Sequence, residues 1–165
     1  MKETIKGYRN LKAINKEKKI CLMGIGNLDK ADDYAGMAVI EKIEKENLPK
    51  NLTIIKAGSA PEAYTNVIKK IKPDILVIID TALMNERPGT IKCFLENDLE
   101  TTYVATSHNV SLGMLTKYLR HFLKNLITIF IGIEPKKLNY MENISQTVQE
   151  SVNFLSGYLL DFLRE

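Results

Sequence analysis

Apolar residues occur along this chain in two kinds of run, which predict an alternation of strands and helices. Short continuous apolar runs, typical of strands that are buried on both faces, lie at residues 20–25, 52–56, 74–80, 90–95 and 126–133. Longer segments with an apolar residue at every third or fourth position, typical of helices, lie at residues 34–46, 62–71, 109–123 and 145–164. The predicted order is therefore β-α-β-α-β-β-α-β-α.

This order predicts an α/β fold, a three-layer α/β/α sandwich around a five-stranded, mostly parallel, twisted sheet. The fourth strand, at residues 90–95, follows the third without a helix between them, so we expect it to run antiparallel. Residues 1–17 are polar and rich in lysine, and we interpret them as a mobile or loosely helical lead-in. The remaining residues, 18–165, are expected to form a single domain.

The composition is that of an ordinary globular protein, with 165 residues, 45% hydrophobic and 26% charged. The 23 basic and 20 acidic residues are too balanced to favour nucleic acid as a partner. No apolar run reaches the roughly 18 residues needed to cross a membrane, and residues 1–19 lack the apolar stretch of a secretory signal. Both cysteines, Cys21 and Cys93, fall in predicted strands as small buried residues, which agrees with a reducing cytoplasm.

The loop after the first predicted strand is the first indication of chemistry. The strand ends in Gly24-Ile25-Gly26-Asn27, and two adjacent acids, Asp32 and Asp33, follow. A glycine turn between a strand and a helix resembles a nucleotide site, but phosphate is bound by backbone N–H groups and two carboxylates would repel it. Asp29 also occupies the place of the third glycine in the dinucleotide fingerprint. The loop therefore predicts a cation site, with Asp33 as the expected ligand and Asp32 as the expected cap of the following helix, although either acid could cap it.

Three side chains are expected at one edge of the sheet, because ligands of open α/β sheets bind outside the carboxyl ends of the strands. Asp33 follows the first strand, Asp80 ends the third, and His108 precedes the third helix. Two carboxylates and one imidazole can hold Zn²⁺, Ni²⁺, Fe²⁺ or Mn²⁺ while leaving coordination positions open. Each also has a structural alternative: Asp33 could cap a helix, Asp80 could brace a loop, and His108 could bond to neighbouring backbone.

Other candidates for chemistry are weaker. Ser59 is not part of a GxSxG elbow. Cys21 lies early in a strand rather than at a helix N-terminus, where a thiol would be activated. His121, the second of the two histidines, lies on the third predicted helix and is interpreted as a surface or packing residue.

Five motifs, spread in order over about residues 19–160, resemble those of the [NiFe]-hydrogenase maturation endopeptidases. They are the GxGN…DD…G loop at residues 24–36, Gly58-Ser59-Ala60-Pro61-Glu62, Ile78-Ile79-Asp80 with Pro88-Gly89, Thr106-Ser107-His108-Asn109-Val110-Ser111-Leu112, and Gly132-Ile133-Glu134-Pro135. The second of these resembles the branch that serves the formate-hydrogenlyase type of hydrogenase. The chain departs from the family at Asp29-Lys30, where a hydrophobic residue is frequent.

The resemblance implies an endopeptidase that removes the C-terminal extension of the hydrogenase large-subunit precursor after nickel insertion. It implies that Asp33, Asp80 and His108 are both the metal-binding and the catalytic residues. The nickel ion would be supplied largely by the precursor, although another divalent metal could replace it in vitro, and it would either polarise the scissile carbonyl or activate water.

Two other functions remain open from the residues. One is a different metal-dependent hydrolase or aminopeptidase on a related α/β sandwich, which would bind its own metal tightly. The other is a non-enzymatic module that binds nickel or a nucleotide. If the chain is a maturation endopeptidase, we expect it to be a cytoplasmic monomer. Its partner would be the large-subunit precursor, and it would have no nucleic-acid or membrane partner.

Overall fold

A computed structural model describes residues 5–96, 105–106 and 109–164 of the chain. Within them, six strands form one sheet: β1 (Ile5–Lys6), β2 (Ile20–Ile25), β3 (Leu52–Gly58), β4 (Ile75–Thr81), β5 (Ile91–Leu95) and β6 (Ile127–Ile133). The α-helices are α1 (Ala35–Glu44), α2 (Thr65–Ile71), α3 (Asn109–Phe122) and α4 (Gln146–Arg164). Short 3₁₀-helices occupy Tyr8–Ala13, Ala31–Tyr34 and Pro61–Tyr64.

The strands lie in the order β1-β5-β6-β4-β2-β3. Strands β3, β2, β4 and β6 are mutually parallel, while β5 runs antiparallel to β6. Every residue of β2 and of β4 is buried, because helices cover the sheet on both sides. The α/β class and the antiparallel fourth predicted strand are therefore confirmed, whereas the predicted count of five strands is wrong by one.

The additional strand comes from the N-terminal residues. Strand β1 pairs in parallel with β5, with Ile5 opposite Ile91. Leu11 and Ile14, which follow it, are buried in the core together with Ile5. Residues 5–14 are therefore ordered against the sheet and not a mobile lead-in, while the 3₁₀-helix at Tyr8–Ala13 agrees with the loosely helical alternative. Ile5, Leu11 and Ile14 are too few to produce a strand or helix pattern, yet the strand that contains Ile5 covers the outer edge of β5.

The hydrophobic core has two halves, one on each face of the sheet. Val77 and Ile79 of β4 point to one half, where helices α1 and α4 pack. Leu76 and Ile78 of the same strand point to the other half, where α2 and α3 pack. This alternation is what a strand buried on both faces produces. It confirms the three layers of the sandwich, and it leaves the carboxyl ends of the parallel strands at one edge.

Candidate active site

The N-terminal end of α1 lies very close to the carboxyl ends of β2 and β4. A Cβ atom added at Gly36 would overlap the backbone carbonyl oxygens of both Ile25 and Ile79. Gly26, with φ of 152°, is similarly close to the carbonyl oxygen of Asp33. Glycine at these two positions therefore lets the acidic loop pack directly on the strand ends, which is where the sequence predicts the site.

Asp32 and Asp33 both lie within the 3₁₀-helix Ala31–Tyr34, and both are buried. Neither carboxylate caps this helix or α1, because neither helix has a side-chain hydrogen bond at its N-cap position. The expectation that one of them is an N-cap is therefore wrong. The chain turns helical at Ala31, before the acids, so both stand inside the first turn and not at the cap position.

Asp32 binds the loop between β6 and α4, residues 134–145, which we call the β6–α4 loop. Its Oδ2 accepts hydrogen bonds from the backbone N–H groups of Lys136 (2.8 Å) and Lys137 (2.9 Å). The hydroxyl of Ser145 also donates to Oδ2 at 2.9 Å, and the N–H of Ser145 donates to Oδ1 at 2.6 Å. Because Ser145 immediately precedes α4, the carboxylate also lies at the positive end of that helix dipole.

These contacts predict a large effect of Asp32→Asn on stability. Four donors surround the carboxylate, so the amide N–H₂ of asparagine would face at least one buried donor. Hydrogen bonds to charged groups contribute about 1.5–3 kcal/mol each, and we expect Asp32→Asn to lower the free energy of unfolding by about 3 kcal/mol. Urea unfolding measures this, with Asp29→Asn, an exposed acid of the same loop, as the control. Equal urea midpoints for the two variants would contradict the role given to Asp32.

Asp33 lines a cavity of about 210 Å³ at the edge of the sheet. Its walls come from the end of β4, residues 105–106 and the β6–α4 loop, and its lining residues are Asp33, Thr81, Leu83, Ala105, Thr106 and Leu138. The lining thus combines one carboxylate and two hydroxyl side chains with three apolar side chains. A carboxylate beside apolar side chains interacts more strongly with a cation than one in bulk water, because less water screens it.

Asp80 is the penultimate residue of β4, directly before Thr81 of the cavity lining, and is fully buried. Its Oδ1 accepts a hydrogen bond from the N–H of Thr81 at 2.8 Å. The hydroxyl of Thr81 in turn donates to the backbone carbonyl of Asp32 at 2.6 Å. The structure therefore brings Asp33 and Asp80 to the same edge of the sheet, although their chemical roles stay predictions.

His108 lies outside the described residues. Thr106, two positions before it, lines the cavity beside Asp33. In the part of the chain that the structure describes, no group of three or more His, Cys, Asp or Glu side chains could hold a metal ion. The predicted set of Asp33, Asp80 and His108 as ligands and catalytic residues consequently remains a prediction.

Glu134 supports the cavity in a way that the sequence analysis did not find. This buried carboxylate accepts hydrogen bonds from the N–H groups of Met84 (2.7 Å) and Glu86 (3.3 Å). It thereby holds the segment after β4, in which Leu83 pairs with Ala105 across an isolated bridge. The signal was present in the Gly132-Ile133-Glu134-Pro135 motif, but a motif alone does not reveal which backbone groups a carboxylate accepts from.

The cysteines and His121 carry no chemistry at this edge of the sheet. Cys21 is fully buried, and burial raises the pKa of its thiol to about 12, so no thiolate forms near neutral pH. Cys93 is buried in β5, as predicted. His121 is exposed on α3, with its ring edge against Phe122, in agreement with the surface role predicted for it.

Solved structures share this architecture. The crystal structure of the [NiFe]-hydrogenase maturation protease HycI from Thermococcus kodakarensis superposes with a TM-score of 0.80 and 22% identity, over 94% of this chain and 99% of that one. The solution structure of the endopeptidase HycI from Escherichia coli gives a TM-score of 0.74 and 25% identity, over 87% and 90% of the two chains.

Sequence relatives agree with the structures. A Methanocaldococcus jannaschii protein assigned as a hydrogenase maturation protease is 37% identical over 155 residues, 90% of each chain. The hydrogenase 3 maturation protease of Escherichia coli K12 is 31% identical over 132 residues, 79% of this chain and 82% of that one. The family model described as HycI, hydrogenase maturation protease, matches residues 37–161. The chain belongs to the hydrogenase maturation protease family.

Proposed function

We propose that this chain removes the C-terminal extension of a [NiFe]-hydrogenase large-subunit precursor once nickel has been inserted. Membership of the family makes the chain a peptide hydrolase of hydrogenase maturation. The observation that carries the proposal is Asp33 in the lining of a small cavity, with Asp80 buried at the same edge of the sheet. A cleft with a carboxylate and apolar walls suits the binding of a peptide next to a metal ion.

We propose further that Asp33, Asp80 and His108 contact the nickel ion of the precursor, so that the metal belongs to the substrate. Carboxylate and imidazole are suitable donors for Ni²⁺, and two of the three residues lie at the carboxyl edge of the sheet. Contact with the substrate's own ion would make cleavage depend on nickel insertion. The protein would then act only on precursor whose metal site has been filled.

The reaction would be a hydrolysis in which water attacks the scissile carbonyl and the new amine leaves with a proton. The substrate's nickel would act as a Lewis acid, either polarising that carbonyl or lowering the pKa of a bound water. Leu83 and Leu138, on the apolar walls of the cavity, would keep bulk water from the ion and so strengthen its electrostatic effect. Aspartate side chains would therefore serve by holding the ion and orienting the peptide.

A processing assay with two forms of the precursor tests this function. We expect the purified protein to shorten nickel-loaded precursor at its C-terminus and to leave nickel-free precursor intact, because the ion completes the site. Mass spectrometry measures the lost extension, and precursor made without the extension is the control. Equal cleavage of both forms, or cleavage of unrelated peptides, would contradict the proposal, as would purified protein that carries one tightly bound metal per chain.

We also propose a cytoplasmic monomer that has no nucleic-acid or membrane partner, following the near-neutral charge balance of the chain. Among the helices of the described residues, none is both long and apolar enough to traverse a bilayer. Size-exclusion chromatography with light scattering measures the oligomeric state directly.

A further inference from the structure

Three large apolar side chains stand exposed beside the cavity. Leu28 is 69% exposed, Tyr140 is 67% exposed and Met141 is 87% exposed. We call these three residues the apolar rim. They come from two loops, the acidic loop after β2 and the β6–α4 loop, which are far apart in sequence. Exposed apolar residues that cluster on a protein surface mark sites of interaction more often than isolated ones do.

Hydrogen bonds join the two loops into one surface. The N–H of Met141 donates to the carbonyl oxygen of Asp29 at 2.7 Å, and the N–H of Ala31 donates to the carbonyl oxygen of Glu142 at 3.1 Å. The ammonium group of Lys30 lies 5.7 Å from the centre of the Tyr140 ring, at the distance of a cation–π contact. These contacts join Asp29 and Lys30, which directly follow Leu28, to Met141 and Tyr140.

The loop that carries Tyr140 and Met141 is fixed by hydrogen bonds, although these apolar side chains are exposed to solvent. Asp32 fixes the β6–α4 loop at Lys136, Lys137 and Ser145 through its buried carboxylate. Met141 has φ of 60°, a left-handed conformation that residues with long side chains rarely adopt. The loop thus keeps a strained backbone that presents an apolar side chain to solvent. Neither the strain nor the exposure stabilises the fold, so both point to a role of Met141 in binding.

The rim is also continuous with the cavity. Leu138 belongs to the same loop as Tyr140 and Met141, and it lines the cavity together with Asp33. The cavity volume of about 210 Å³ is below the range of roughly 300–1,000 Å³ that encloses a small ligand. Only a short part of a protein substrate can enter it, so the rest of the substrate must lie across the surrounding surface.

We propose that the apolar rim is the docking surface for the folded body of the large-subunit precursor, an inference that rests on the proposed function. The matching patch of the precursor would be apolar, with charges of both signs at its margin opposite Asp29, Lys30, Lys136 and Glu142. Docking there would place the precursor's C-terminal segment at the cavity entrance. The rim would thus contribute to binding of the precursor and not to the bond-breaking step.

Kinetics of precursor cleavage with Leu28→Asp and Met141→Asp test this surface. We expect each variant to raise KM about tenfold, as loss of an interface anchor does, while kcat stays within about twofold. Aspartate tolerates the left-handed conformation better than most residues, so Met141→Asp adds no backbone strain. The control is Met114→Asp on α3, where methionine is also exposed, at 68%, but outside the rim.

The outcomes separate this inference from the function on which it rests. Cleavage by the wild type together with unchanged KM in both rim variants would overturn the docking surface and leave the proposed function intact. An equal rise of KM in Met114→Asp would overturn it as well, because the effect would not be confined to the rim. Absence of cleavage by the wild type would overturn both.

Discussion

Replacing Asp33 by asparagine is expected to abolish cleavage of nickel-loaded precursor, with kcat lowered by about a thousandfold. Asparagine keeps the size of the side chain but removes the negative charge that faces the cavity. Without that charge the precursor's nickel would be held by a weaker set of donors, and its effect on the scissile carbonyl would be lost. The rate of extension loss, followed by mass spectrometry in single-turnover experiments, measures the change.

Two further variants make this result specific. Asp29→Asn, which removes an exposed charge from the same loop, should cleave at close to the wild-type rate. His108→Ala should lose activity as Asp33→Asn does if both residues contact the ion. Near wild-type cleavage by both Asp33→Asn and His108→Ala would remove the chemical role assigned to this edge of the sheet.

Among glycine-to-alanine substitutions in this chain, Gly36→Ala is expected to lower the free energy of unfolding most. Its new Cβ would overlap the carbonyl oxygens of Ile25 and Ile79, which are backbone atoms of two central strands and cannot move independently. Overpacking of a core typically costs 1–3 kcal/mol, and we expect a loss of about 3 kcal/mol here because backbone must shift. In a chain of this length the melting temperature would fall by roughly 6–12 °C.

Gly157→Ala provides a control of opposite sign. Gly157 lies within α4, and a Cβ added there would meet no atom within 4 Å. Alanine has the higher helix propensity, so we expect the variant to be more stable than wild type by up to about 1 kcal/mol. Calorimetry of the two variants compares them directly. A melting temperature for Gly36→Ala equal to that of Gly157→Ala would show that the close approach of α1 to the strands is not required.

The strands and helices of the sandwich were predictable because the core imposes a regular pattern on them. Strands β2 and β4 are buried on both faces and appear in the sequence as unbroken apolar runs. Helix α4 packs one face on the sheet and shows the corresponding helical period. The same reasoning located Asp33 and Asp80, because residues that follow parallel strands must meet at one edge.

Strand β1 and the contacts of Asp32 were not predictable by the same means. A two-residue strand has no period to detect, and Ile5 is recognisable as core only once Ile91 is beside it. For Asp32, the local rule favoured a helix cap, whereas its actual partners are distant backbone groups. The hydrophobic pattern of a segment does not predict contacts with distant segments. For the same reason, the sequence did not predict that Leu138 forms a wall of the cavity.

The partners of Asp32 lie 104, 105 and 113 residues further along the chain. During synthesis from the N-terminus, the acidic loop is therefore made long before the groups that surround its carboxylate. A growing chain that has not reached Lys136 lacks all of these contacts and also Tyr140 and Met141 of the apolar rim. The protease consequently cannot complete its cleft until synthesis has passed Ser145, and a chain truncated before β6 would be unable to process any substrate.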